Sequence, residues 1–139
     1  MMKMLWKVNG VSVLYTFSLF IQVELLINVY RLERVIGITN MNRYVPIAIL
    51  VIMTLTFVLA YVLTRFQLKP GKLKYLTTIL WIPYFLIFIK WFAYAYPITN
   101  PQEMPLPGIG AVIVAACCLY PLYIAFLTLC TDLGASEPR

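Results

Sequence analysis

Long apolar runs separated by short polar breaks dominate the pattern of this chain. Four stretches, at about residues 10–30, 44–64, 75–96 and 109–130, each reach the roughly 20 mainly apolar residues that a helix needs to cross a bilayer. The breaks between them, at residues 31–43, 65–74 and 97–108, are too short to form a domain of their own. The pattern predicts an all-α polytopic membrane protein, a bundle of four transmembrane helices with short loops, in a single domain over residues 1–139. No internal repeat relates the spans, so an inverted-repeat transporter is not indicated.

Composition strengthens this reading. The chain has 139 residues, of which 63% are hydrophobic and 12% charged, where a soluble domain has about 45–50% and about 25%. Lys3 and Lys7 resemble the start of a signal peptide. The apolar stretch that follows is too long for one, however, and no small-residue cleavage site closes it, so it is expected to persist as the first span.

Orientation follows from the basic residues near the span ends. With the N-terminus in the cytoplasm, the inner side holds Lys3, Lys7, Arg65, Lys69, Lys72, Lys74 and Arg139, and the outer side only Arg31, Arg34 and Arg43. Both termini are therefore expected to be cytoplasmic. The net charge of +6 is explained by these flanking residues, and nucleic acid is not an expected partner. The segment 65–74, with its Pro70–Gly71 turn, reads as a basic rim near anionic headgroups. The outer segment 97–108, with Pro97, Pro101, Pro105 and Pro107, reads as a stiff extended connector.

Within the spans, Glu24 is the residue to explain. A carboxylate in hydrocarbon costs a few kcal/mol on insertion scales, so it should face protein or water. Asn28 and Arg31 share its helical face, and Ser18 and Gln22 form an adjoining polar strip. Lys90 lies six residues before Tyr96, as Glu24 lies six before Tyr30. Because the first and third spans run parallel, the two charges lie at equal depth. The expectation is an ion pair between Glu24 and Lys90, supported by Asn28, Gln22 and Tyr94. The competing reading is a Lys90 that snorkels to the outer interface. Pro83 and Pro121 are expected to kink the third and fourth spans, or widen a turn, just N-terminal to each. In the fourth span, Ala111 and Ala115 have the spacing that lets helices approach closely, more often within a chain than between chains.

The inventory excludes much chemistry. The chain has no histidine, and so lacks the commonest general base and metal ligand. No phosphate-binding glycine loop, cysteine-pair motif or nucleophile elbow is present. Cys117 and Cys118 are adjacent, and Cys130 lies about 18 Å further along the same helix, too far for a disulfide. No catalytic residue, metal or cofactor is expected, and an enzyme is the least favoured class. The leading expectation is a non-enzymatic accessory, assembly or immunity-type subunit that contacts a larger membrane protein. The alternatives are a small, self-associating transporter or channel using Glu24 as a proton- or cation-coupling carboxylate, and a lipid-binding or lipid-modifying protein. Membrane lipid is a partner in all three.

Overall fold

The computed structural model describes residues 2–68 and 72–134. Lys69, the Pro70–Gly71 turn, Glu137 and Arg139 lie outside the described residues. Within them the regular structure is entirely helical, with no strand. Helix α1 covers Met2–Ile27, a short α2 Val29–Ile36, α3 Met41–Gln67, α4 Thr77–Ala95 and α5 Ile109–Leu133. Single 3-10 turns at Lys72–Leu76 and Pro101–Glu103 precede α4 and α5. Four segments, Met2–Ile27, Met41–Gln67, Lys72–Ala95 and Ile109–Leu133, are long and apolar enough to cross a membrane. The chain is an integral, multi-pass membrane protein.

The first helix starts earlier than expected, at Met2, because Lys3, Lys7 and Asn9 interrupt the hydropathy without breaking the helix. Asn9 Nδ2 donates back to the Leu5 carbonyl. α3 likewise extends beyond its apolar stretch at both ends. The α2–α3 turn places Gly37 in the left-handed region (φ 73°), where it caps α2 by donating its N–H to the Glu33 carbonyl at 3.0 Å. A side chain at this position would be strained. The Glu33 carboxylate accepts from the Asn40 N–H at 2.7 Å, which closes the turn.

α1 is the centre of the bundle. Its most apolar stretch is 44% buried, against 17% for α3 and α4 and 22% for α5. Val8, Val11, Tyr15, Leu19 and Val23 recur at helical spacing on its buried side. The other helices offer narrower seams: Thr56, Ala60 and Thr64 on α3, Trp81 and Phe85 on α4, and Tyr120, Ile124 and Leu127 on α5. Large apolar side chains such as Leu50, Ile87 and Leu122 point outward, as a lipid solvent permits.

Hydroxyl groups join the helices across this interior. Thr56 on α3 donates to Ser18 on α1 at 2.7 Å. Tyr120 on α5 donates to the Tyr15 carbonyl at 2.7 Å. Thr16 donates to the Trp81 carbonyl on α4 at 3.1 Å. That last bond lies in the turn before Pro83, and Trp81 Nε1 donates to the neighbouring Thr78 carbonyl. The carbonyl that Pro83 leaves without a backbone donor is that of Ile79, so these two bonds brace the same stretch of α4 without replacing the missing one. Both α4 and α5 stay helical through Pro83 and Pro121.

At the end of the bundle carrying the N-terminus, Lys74 is buried and ion-paired with Asp132, which also accepts from Tyr75 at 2.9 Å. This corrects the reading of Lys74 as a rim residue, whereas Lys72 is exposed. The chain continues past α5 at Gly134, where an added Cβ would lie 2.7 Å from the Arg65 guanidinium and 3.0 Å from the Tyr61 hydroxyl.

Small residues serve opposite roles on the two flanking helices. Ala60 is fully buried against α1, whereas Ala111 and Ala115 are exposed, against the expectation of internal packing. Ala60→Leu is expected to destabilise the protein by about 1–3 kcal/mol through overpacking. Ala115→Leu is expected to change stability by no more than about 0.5 kcal/mol. Thermal unfolding in bicelles checks this, and equal losses for both would show that the α5 face packs internally.

Candidate functional site

The polar residues gather where α1 ends. At Asn28 the backbone (φ −98°, ψ 17°) leaves helical geometry and separates α1 from α2. The Asn28 side chain donates to the Glu24 carbonyl at 3.1 Å and to Glu24 Oε2 at 2.7 Å. The backbone ladder nevertheless runs through this position, with the Asn28 N–H donating to the Glu24 carbonyl at 2.9 Å and the Leu32 N–H to the Asn28 carbonyl at 2.8 Å. Asn28 is only 7% exposed, and its Oδ1 has no partner. Glu24 is half-buried, and no hydrogen bond engages its Oε1 among the described residues.

Arg31 shares the face of Glu24 but bonds elsewhere. Its Nε pairs with Glu103 at 3.0 Å, and its two terminal nitrogens donate to the carbonyls of Tyr96 and Pro97 at 3.2 and 2.9 Å. Arg34 pairs with the same carboxylate. Glu103 is 4% exposed. Two arginines of α2 therefore clasp the proline-rich segment through one buried acid. The segment is stiff because Asn100 Oδ1 accepts from the Gln102 N–H at 3.0 Å and prolines limit its backbone.

Two cavities flank the Glu24–Asn28 pair in the cleft between α1 and α4. Their volumes are about 290 and 250 Å³, and Glu24, Asn28, Phe92 and Tyr96 line both. Phe20 lines the larger one, with its ring 5.6 Å from that of Phe92 in an edge-to-face arrangement. Phe92 in turn stands 5.1 Å from Tyr96. The result is a carboxylate and an amide at the back of an aromatic cleft. A volume near 300 Å³ is at the small end of ligand pockets.

The expected ion pair is not formed. The ion pairs among the described residues are Arg31–Glu103, Arg34–Glu103 and Lys74–Asp132. α4 turns Phe85, Phe88 and Phe92 toward α1, and Lys90 falls on the opposite side, exposed. Tyr94 is 89% exposed and cannot support Glu24. Gln22 is buried, but it donates to Ser18 at 3.1 Å and joins the α1–α3 seam instead. Of the residues expected to meet, only Glu24 and Asn28 do. Among the described residues no three His, Cys, Asp or Glu side chains gather into a metal-binding group.

Sequence reasoning missed Glu103 and Arg34 as a unit. The signal was there: Glu103 is the only acid of its connection, and it lies at the same end of the bundle as Arg31 and Arg34. Comparison with protein-family models, curated proteins and solved structures finds no match, so the chemistry of these residues carries the functional argument.

Two measurements test this geometry. In a double-mutant cycle, Glu24→Gln and Lys90→Met should be additive within about 0.5 kcal/mol, as for groups that share no contact. Coupling well above that would restore the ion pair. Glu103→Ala leaves the half-buried Arg31 without its acid and is expected to cost about 1–3 kcal/mol. Hydrogen exchange should then speed up at the amides of residues 98–104, while the α1–α3 seam stays protected. Unchanged exchange there would mean that the clasp does not hold the segment.

Proposed function

We propose that this protein is a small membrane transporter or channel in which Glu24 is the cation-coupling carboxylate. One observation carries this reading: an acid within a membrane-spanning helix forms no salt bridge among the described residues, the nearby Arg31 being bonded to Glu103, keeps one carboxylate oxygen free and opens onto a cleft. An intramembrane acid is costly. A purely structural one would be consumed by an ion pair, as Glu103 is. The irregular backbone at Asn28, one turn from Glu24, marks the point where α1 gives way to the charged α2. In this reading both termini face the cytoplasm of a cell membrane, the Arg31–Arg34–Glu103 clasp faces outward, and a second copy completes the transport path.

Proteoliposomes test the proposal. Wild-type protein should pass protons or monovalent cations down an imposed gradient. Glu24→Gln should reduce the flux at least about tenfold, the usual scale for losing an essential proton-transfer group. Lys90→Met should leave it unchanged. Equal flux in wild type and Glu24→Gln, or none in either, overturns the reading.

A second reading is favoured by the outward-facing Ala111, Ala115 and Cys118 on α5. Small residues on a lipid-facing surface suit close approach of a helix from another chain, as in an accessory, assembly or immunity-type subunit. A mass measurement of the intact assembly in mild detergent separates the two: a self-assembled species favours the transporter, and a stoichiometric complex with a larger membrane protein favours the subunit.

A further inference from the structure

We propose that the α1–α4 cleft binds a primary or secondary ammonium group carried on an apolar body, with Glu24 Oε1 and Asn28 Oδ1 as its two acceptors. The proposal rests on the reading of Glu24 as a cation-binding carboxylate and names what is bound.

The free polar atoms define the ligand. Asn28 spends its amide nitrogen on Glu24, which leaves Oδ1 buried and without a partner. A buried acceptor without a donor is an unfavourable arrangement that a ligand N–H would relieve. Glu24 Oε1, on the adjacent turn, supplies the negative charge. Both free groups accept and neither donates, so the complementary ligand donates from at least two N–H bonds and carries a positive charge. An ammonium does both, and hydrogen bonds to charged groups are the stronger kind.

The walls define the rest of the molecule. Phe20, Phe92 and Tyr96 offer aromatic surface to a cation and to the carbon attached to it. A bare calcium ion would need six to eight oxygens, and the cleft offers two free ones. A quaternary ammonium satisfies the charge and the rings but leaves Asn28 Oδ1 unpaired. Arg31 lines the same cleft and its charge reaches Glu24 through space, but its nitrogens are bonded to Glu103 and to two carbonyls, so Glu24 Oε1 stays open to a ligand N–H. The ammonium could belong to a free amphipathic amine or to an ethanolamine headgroup, since the cleft lies between two membrane helices. The chemistry recognised is the same.

Full-length protein in phosphatidylcholine nanodiscs, titrated calorimetrically, tests the proposal. The probes are 2-phenylethylammonium, its N,N,N-trimethyl analogue and neutral 2-phenylethanol. The expected order is clear binding of the first, binding about tenfold weaker for the second and none for the third. This comparison uses wild-type protein alone and does not depend on any variant folding. Glu24→Gln should weaken binding of 2-phenylethylammonium at least about tenfold, and Phe92→Leu several-fold. The Asn28 side-chain amide resonance should shift on binding. Equal affinity for the ammonium and its trimethyl analogue, or an unmoved Asn28 resonance, overturns the proposal. Nanodiscs enriched in phosphatidylethanolamine decide the source. Competition with the free amine assigns the site to the lipid headgroup, and unaltered affinity assigns it to a free amine. Glu24-dependent flux of protons or alkali cations without amine binding overturns this inference and leaves the transport reading standing. Amine binding without any flux does the reverse.

Discussion

The interior of a bilayer supplies no water, and α1 is where this chain meets that constraint. A hydroxyl or amide brought into the bundle can be satisfied only by the protein, and several along α1 are, while Asn28 Oδ1 and the Tyr15 hydroxyl are left without a partner among the described residues. Ser12 and Thr16 turn inward to bond the preceding turn of their own helix, and Thr16 reaches α4 as well. Ser18 serves both Gln22 and Thr56. The Tyr15 carbonyl receives Tyr120 from α5. Helix association in lipid has no hydrophobic drive of its own, so packing and such bonds set the arrangement. The outer surfaces of α3, α4 and α5 are free to be uniformly apolar because α1 gathers so much of the polarity.

The two ends of the bundle solve the same electrostatic problem differently. At the end carrying the N-terminus, one buried lysine meets a half-exposed aspartate and a tyrosine hydroxyl. At the other end, one buried glutamate holds two arginines, one of them also tied to two backbone carbonyls. Both arrangements anchor the segment that leads into a helix: the 3-10 turn before α4 in the first case, and the proline-rich connection before α5 in the second. Glu24 lies close to the second end yet takes no part in its ion pairs, and this separation gives the cleft its distinct chemistry.

The sequence made the fold legible because hydropathy and length are one-dimensional signals. The second and fourth spans, expected at 44–64 and 109–130, appear as Met41–Gln67 and Ile109–Leu133. Depth along the bundle normal is also one-dimensional, and Glu24 does lie level with the end of α4. What depth does not supply is the direction around the helix axis. Lys90 sits at a suitable height on the wrong side of α4, and the recurrence of Phe85, Phe88 and Phe92 on one face would have shown it. The Glu103 clasp escaped notice for another reason: a loop acid carries no periodicity, and its link to α2 shows only when the charges at one end of the bundle are matched across connections.

The irregular turn at Asn28 also marks a length. From Lys7 to Asn28 the helix rises about 32 Å, close to the roughly 30 Å of bilayer hydrocarbon. Beyond that point α2 is charged and folds against the proline-rich connection instead of prolonging the span. Glu24 therefore sits about 6 Å inside the break, within the zone that membrane thickness alone can wet or dry. A thinner bilayer would bring this carboxylate into the headgroup layer, and a thicker one would draw it into hydrocarbon. The lipid composition of the host membrane becomes a control on the ionisation and accessibility of the acid, without any change in the protein itself.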